Sequence, residues 1–186
     1  MLLVCGPAGV GKSTFCNKHI AEHPQEDIHI ISADETRKGM TGGYDKFLLG
    51  MNMEPVYEAM IERGKELAQN DNVTILIDTT ILMDDRRVYF AKKLPMYDCK
   101  KIVLCKLHDY ELCVIRNSNR IKEKGVPEAV VRDMVSHYYV PWTKRKRSLR
   151  AFVTFIWTNY FLFLLKEEAN LPAFAPLELR TSKVAS

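Results

Sequence analysis

Gly6-Pro7-Ala8-Gly9-Val10-Gly11-Lys12-Ser13 follows directly on the apolar run Leu2-Leu3-Val4-Cys5, and its reading decides the fold. The eight positions match the Walker A pattern of a phosphate-binding loop. Glycines at 6, 9 and 11 permit a tight backbone turn in which successive N–H groups point inward at an anion. Lys12 is then placed to reach the outer phosphates of a nucleoside triphosphate, and the Ser13 hydroxyl to serve Mg2+. Such a loop requires a strand before it and a helix after it. Leu2–Cys5 reads as the strand, and residues 13–20 read as the helix, whose N-terminal dipole adds to the attraction for phosphate. Gly6, Ala8, Gly9, Val10, Gly11, Lys12, Ser13 and Thr14 are therefore expected to hold ATP.

Outward from this loop, strand-like runs alternate with helical patterns. Ile28–Ser32 is a β-branched run that ends in a polar turn containing Asp34; residues 73–78 form an apolar run closed by Asp78; residues 101–107 form a fourth strand candidate. Residues 52–69 read as an amphipathic helix, with Met53, Val56, Met60 and Leu67 near helical spacing. Residues 109–120 and 127–139 read as two more, the second with Pro127 in its first turn. Glycines 39, 42, 43 and 50 mark residues 39–50 as a loop or lid. Alternation at this spacing predicts an α/β fold with a parallel sheet covered by helices on both faces, and the loop marks it as a P-loop NTPase. Ligands of such sheets sit beyond the carboxyl ends of the strands. That rule brings the loop, Asp34 and Asp78 to one edge.

The 186 residues suffice for one domain with a sizeable core, and 47% hydrophobic with 27% charged residues is the balance of a soluble globular protein. Charge is unevenly placed. Residues 1–143 carry 19 Lys and Arg against 20 Asp and Glu, whereas residues 144–186 carry 8 against 3, so the net +4 lives in the tail. A body this neutral excludes a surface built to coat nucleic acid. Cys5, Cys16, Cys99, Cys105 and Cys113 include no CxxC pair, which argues against a zinc cluster or disulfide framework and suggests buried small hydrophobes. No signal peptide is legible, and a cytoplasmic protein is expected.

The tail divides from the P-loop body at residue 143. Five of residues 144–150 are basic and residues 151–165 carry no charge. Fifteen uncharged residues fall short of the roughly twenty needed to span a bilayer. The segment reads first as a last strand or helix packed on the same domain; contact with a partner or membrane surface, and a loose extension, are the alternatives.

Phosphoryl transfer needs a held donor, neutralised charge on the transferring group, and a base for the acceptor's proton. Lys12, Ser13 and the loop amides would hold the donor. Arg116 and Arg120 are four apart on an expected helix and could close together over the γ-phosphate, or form a solvated basic stripe. Asp34 could accept a proton from a hydroxyl nucleophile, or cap a turn starting at Glu35. Arg37, three residues on, would share its side of a helical turn and anchor an anionic acceptor, or simply lie at the surface. Asp78 occupies the strand-end position from which an acid organises Mg2+ through its water shell. His108 and His137 are isolated and are read as structural.

Four blocks in order and spacing resemble the P-loop kinase family that contains phage and bacterial polynucleotide 5'-kinases, with zeta-toxin-like kinases among its relatives. They are residues 6–14, Ile31-Ser32-Ala33-Asp34-Glu35-Thr36-Arg37, Ile75-Leu76-Ile77-Asp78-Thr79-Thr80, and Arg116-Asn117-Ser118-Asn119-Arg120 followed by Val126-Pro127. The resemblance covers roughly residues 1–141 and implies an adenylate-kinase-like fold. It implies that Asp34 is the general base, that Arg37 contacts an acceptor phosphate, and that Arg116 and Arg120 are lid arginines near the donor phosphates. The chain departs from the family pattern in having Thr79-Thr80-Ile81, without an Asn, after strand three. It also has Trp142-Thr143-Lys144-Arg145-Lys146-Arg147 where an acidic, Gly-containing turn is usual. The function implied is ATP- and Mg2+-dependent transfer to a hydroxyl, with the 5'-hydroxyl of a nucleic-acid end as the first acceptor. A small hydroxylated metabolite, such as a nucleoside, sugar, sugar nucleotide or antibiotic, or an ATP-binding regulatory module without transfer, are the other readings.

Overall fold

The computed structural model describes residues 1–44, 52–138 and 153–158. Five strands, β1 (Leu2–Cys5), β2 (Ile28–Ser32), β3 (Thr74–Thr79), β4 (Lys101–Lys106) and β5 (Val153–Thr158), form one sheet in the order β2-β3-β1-β4-β5. Every pairing is parallel. Six helices accompany them: α1 (Lys12–Glu22), α2 (Ala33–Thr41), α3 (Glu54–Leu67), α4 (Asp84–Lys93), α5 (Glu111–Ser118) and α6 (Glu128–Ser136).

Alternation along the strands sends side chains to two cores. Leu3, Cys5, Ile75, Ile77, Ile102 and Leu104 pack with Val56, Met60 and Leu67 of α3 and Phe90 of α4. Their neighbours Val4, Leu76, Val103 and Cys105 pack instead with Cys16 of α1, Cys113 of α5 and Val131 of α6. Both faces of the sheet are thus covered, which is why the strands read as unbroken apolar runs. Burying such a side chain contributes about 1.5–3 kcal/mol, so the central strands set the stability of the domain.

Two expectations are corrected. The segment from Gly39 does not begin as a loop: α2 runs to Thr41 and is ended by Gly42 in the left-handed conformation (φ 76°), the usual way a helix stops. The part of that lid assignment falling on residues 45–51 lies outside the described residues. Cys99 is exposed, while the other four cysteines are buried; burial pushes Cys5 and Cys113 up to about 11 and Cys16 to about 12, keeping them neutral. Within the tail, Val153–Thr158 pairs with β4 from Lys101↔Val153 to Lys106↔Thr158. The basic cluster of residues 144–150 and everything after residue 158 lie outside the described residues. Among the described residues no helix is long and apolar enough to cross a membrane.

Candidate active site

Register fixes the floor of the site. Asp78 pairs with Val4 of β1 on one side and Ser32 of β2 on the other, so the chain leaves three adjacent strands at one level: into the Walker A loop, into α2, and into the loop before α4.

The Walker A loop holds its shape through backbone that only glycine adopts without strain. Gly9 has φ 79°, and a Cβ there would stand 2.4 Å from the carbonyl oxygen of Cys113, so the loop lies directly on the start of α5. Gly9→Ala should therefore push loop and helix apart, lowering thermal stability and nucleotide affinity together; a melting curve and a nucleotide titration check both. Gly11 (φ 107°) is the N-cap of α1 and offers no side-chain cap, and the first turn of α1 has no acidic residue. Its orphan N–H groups and positive dipole end are left for an anion. Lys12 Nζ donates to the carbonyls of Gly6 and Pro7, both at 3.0 Å, which places the ammonium in the loop's mouth.

Ser13 Oγ donates to Asp78 Oδ2 at 2.7 Å, and Asp78 is buried. A carboxylate at the end of an apolar strand needs a polar partner, and this hydroxyl is one. With its proton spent on Asp78, the Ser13 oxygen turns lone pairs outward. A hydroxyl beside a carboxylate is the hard-oxygen donor set that suits Mg2+, an ion held mostly by phosphates and water with few protein ligands. No cluster of three His, Cys, Asp or Glu able to cage a metal occurs among the described residues.

Ser32, and not Asp34, caps α2: its Oγ accepts the Glu35 N–H at 3.5 Å. The alternative in which Asp34 caps a turn starting at Glu35 is corrected, because the helix begins at Ala33. Asp34 sits in the first turn, where a carboxylate favours the helix dipole. The expected one-turn relation to Arg37 holds, since Arg37 Nη2 donates to Asp34 Oδ1 at 3.1 Å.

Arg116 lies on α5 and donates from Nη1 to Gly9 O at 3.4 Å, bridging helix and loop. Arg120 does not share that helix face, because α5 ends at Ser118 with Asn119 as its cap, and a turn carries Arg120 back over the loop. That turn is fixed by buried Asn117, whose Oδ1 accepts the Val126 N–H at 3.1 Å and whose amide donates to Val126 O. Sequence reading assigned Asn117 no task; its buried place in a polar turn leaves no signal in a single sequence.

Two cavities meet here. One, of about 300 Å3, is lined by Asp34, Arg37 and Asp78 together with Lys12, Ser13 and Arg120. A smaller one, of about 160 Å3, is lined by Gly9, Gly11, Thr14 and Arg116, again with Lys12, Ser13 and Arg120. The candidates from four separate blocks of sequence are thus brought together, and three of them line both cavities. Ala8 lines the larger cavity, while Gly6 and Val10 support the loop from beneath: Val10 is fully buried, and a Cβ on Gly6 would stand 2.8 Å from Val10 Cγ1.

Sequence reading also passed over a buried ion pair at the site's edge. Arg87 is 0% exposed; it donates to Asp84 Oδ1 at 2.8 Å and to Leu82 O at 2.9 Å, and its guanidinium lies 5.9 Å from the Tyr138 ring. Tyr138 in turn donates to Cys5 O at 3.0 Å, the residue from which the Walker A loop departs. Removing one member of a buried pair strands the other, so Arg87→Ala should cost about 3–5 kcal/mol in urea unfolding, far more than Arg86→Ala on the exposed side.

The fold is that of P-loop kinases. A family model described as an AAA domain matches residues 1–141, and the chain belongs to that family, AAA_33. Among solved structures it is similar to a chain of the Pnkp1/Rnl/Hen1 RNA repair complex (20% identity, TM-score 0.60, covering 74% of this chain but 43% of that one). It is likewise similar to an unliganded sugar kinase from Janibacter sp. (14%, TM-score 0.58, 84% and 83% covered). Kti12 from Chaetomium thermophilum, in complex with ADP-AlF3, is a third (13%, TM-score 0.57, 84% and 89%). At these identities the likeness is one of fold. No curated protein sequence matches the chain.

Proposed function

We propose that the protein is an ATP- and Mg2+-dependent kinase that moves the γ-phosphoryl group to a hydroxyl, with the 5'-hydroxyl of a nucleic-acid end as acceptor. The observation that carries this reading is the pair of cavities sharing Lys12, Ser13 and Arg120. A donor seated on the Walker A loop would point its terminal phosphate at that junction, and an acceptor in the larger cavity would face it from the side of Asp34. Membership of the AAA domain family supports the nucleotide. The block Asp34-x-x-Arg37, with Arg116 and Arg120, supports the acceptor.

In this mechanism the loop amides and Lys12 bind the donor's phosphates. Mg2+, held at Ser13 and through water at Asp78, would neutralise phosphate charge when bound. Asp34 accepts the proton of the acceptor hydroxyl as its oxygen attacks the γ-phosphorus; the bond from that phosphorus to the bridging oxygen breaks and ADP leaves with the electron pair. Arg120 stabilises charge on the phosphoryl group in flight, and Arg116 holds loop and helix together around it. Arg37 orients Asp34 and has a buried Nε with no hydrogen-bond partner among the described residues, a donor left over for an acceptor phosphate.

Label from γ-labelled ATP should pass to a short 5'-hydroxyl oligonucleotide and not to its 5'-phosphorylated twin. ATP binding without such transfer would send the search to small hydroxylated metabolites, a reading that the sugar-kinase likeness keeps in view. Salt separates the two classes of acceptor: transfer to an oligonucleotide should fall as salt rises, whereas transfer to a small uncharged alcohol should change little.

A further inference from the structure

The larger cavity has a wall that the mechanism above leaves without a task. Met53 and Tyr57 from the start of α3, Leu82 from the loop after β3, Val126 from the turn held by Asn117, and Met134 of α6 all line it. Each is only partly covered by the rest of the chain, so apolar surface faces the space beside Asp34. Tyr57 is the fixed member. Its ring meets Phe90 edge-on at 5.6 Å, and the Arg86 guanidinium stands 5.5 Å from its centroid and is itself held by Glu54 at 2.8 Å. Burial raises the Tyr57 phenol, so it stays neutral.

A sugar would present hydroxyls to this wall, and hydroxyls desolvated against Met, Leu and Val lose water without gaining a partner. A flat ring with apolar faces loses nothing there, and a locked aromatic ring flanked by polarisable thioethers is a good surface for it. Resting on the kinase reading above, we infer that the acceptor's terminal base packs against Tyr57 and Met53. The polar side of the cavity then holds its hydroxyl and phosphate, and the enzyme selects a base-bearing end without reading which base it is. Every base has a π-face, so packing of this kind is tolerant of sequence.

The test uses two 5'-hydroxyl oligonucleotides that are identical except that one lacks the base on its 5'-terminal nucleotide. KM for the abasic end should be about 5- to 100-fold higher, the range that loss of one stacked base implies. Ends bearing A, C, G or T should agree within about threefold. In Tyr57→Leu the gap between intact and abasic ends should collapse, in Tyr57→Phe it should persist, and KM for ATP, set at the Walker A loop, is the internal control. Met53→Ala, at the half-buried margin of the core, should narrow the gap independently. Equal KM for intact and abasic ends in the unaltered protein overturns the inference, as does a gap untouched by both Tyr57→Leu and Met53→Ala, or a strong preference for one base. Transfer to both ends at equal KM removes only this inference; transfer to neither removes the acceptor reading beneath it.

Discussion

Asp34→Asn is expected to lower phosphoryl transfer by about a hundred- to ten-thousandfold while leaving ATP affinity nearly intact. The substitution keeps the size of the side chain and an oxygen able to accept from Arg37, whose Nη2 stands 3.1 Å from Asp34 Oδ1, so the first turn of α2 should persist. It removes only the capacity to take a proton. Because Ser32 caps the helix, folding does not depend on Asp34 as a cap. Transition-state stabilisation and ground-state binding are separated by measuring kcat for label transfer beside an equilibrium ATP titration. Loss of both together would make Asp34 a folding residue and deprive the mechanism of its base. A variant that keeps full transfer would have the same consequence for the base.

Much of this arrangement was legible because the strongest signals are local. The Walker A loop is a contiguous string whose glycines, lysine and serine each answer one steric or electrostatic demand, and the strands flanking it are buried on both faces, which writes them as apolar runs. Asp78 stood out for the same reason: a charge ending such a run needs a partner, and Ser13 is that partner. Boundaries were less legible. The run at residues 73–78 appears as Thr74–Thr79, because apolarity reports burial whereas the strand is bounded by pairing with β1 and β2. The short α2 has Ala33 as its one buried residue and carries no apolar stripe, so its polar sequence resembled a turn leading into a glycine-rich loop. Arg120 was placed on a helix because spacing of four suggests one; Asn117 and its bonds to Val126 turn the chain out of the helix before that residue is reached. The apolar wall of the larger cavity could not be seen at all, since Met53, Leu82 and Met134 come together only through the packing of three elements.

Arg120→Ala is expected to reduce kcat by about a thousandfold or more, the scale on which an arginine aimed at the transferring phosphoryl group acts. Position distinguishes it from Arg116. Arg120 lines both cavities, so in the proposed mechanism its charge would sit where donor and acceptor meet, while Arg116 lines only the smaller cavity and donates to Gly9 O at 3.4 Å. Arg116→Ala should therefore act chiefly through the loop, raising KM for ATP with a smaller loss in kcat, whereas Arg120→Ala should lower kcat with KM for ATP little changed. Arg120→Lys restores charge without the planar fork and should recover only part of the rate, because a point charge cannot bind two phosphoryl oxygens at once. Steady-state kinetics on the three variants, with the 5'-hydroxyl oligonucleotide saturating, reads each parameter directly. If Arg116 and Arg120 prove interchangeable in their effects, the junction of the two cavities is not where transfer occurs, and the charge that stabilises it must come from another side chain.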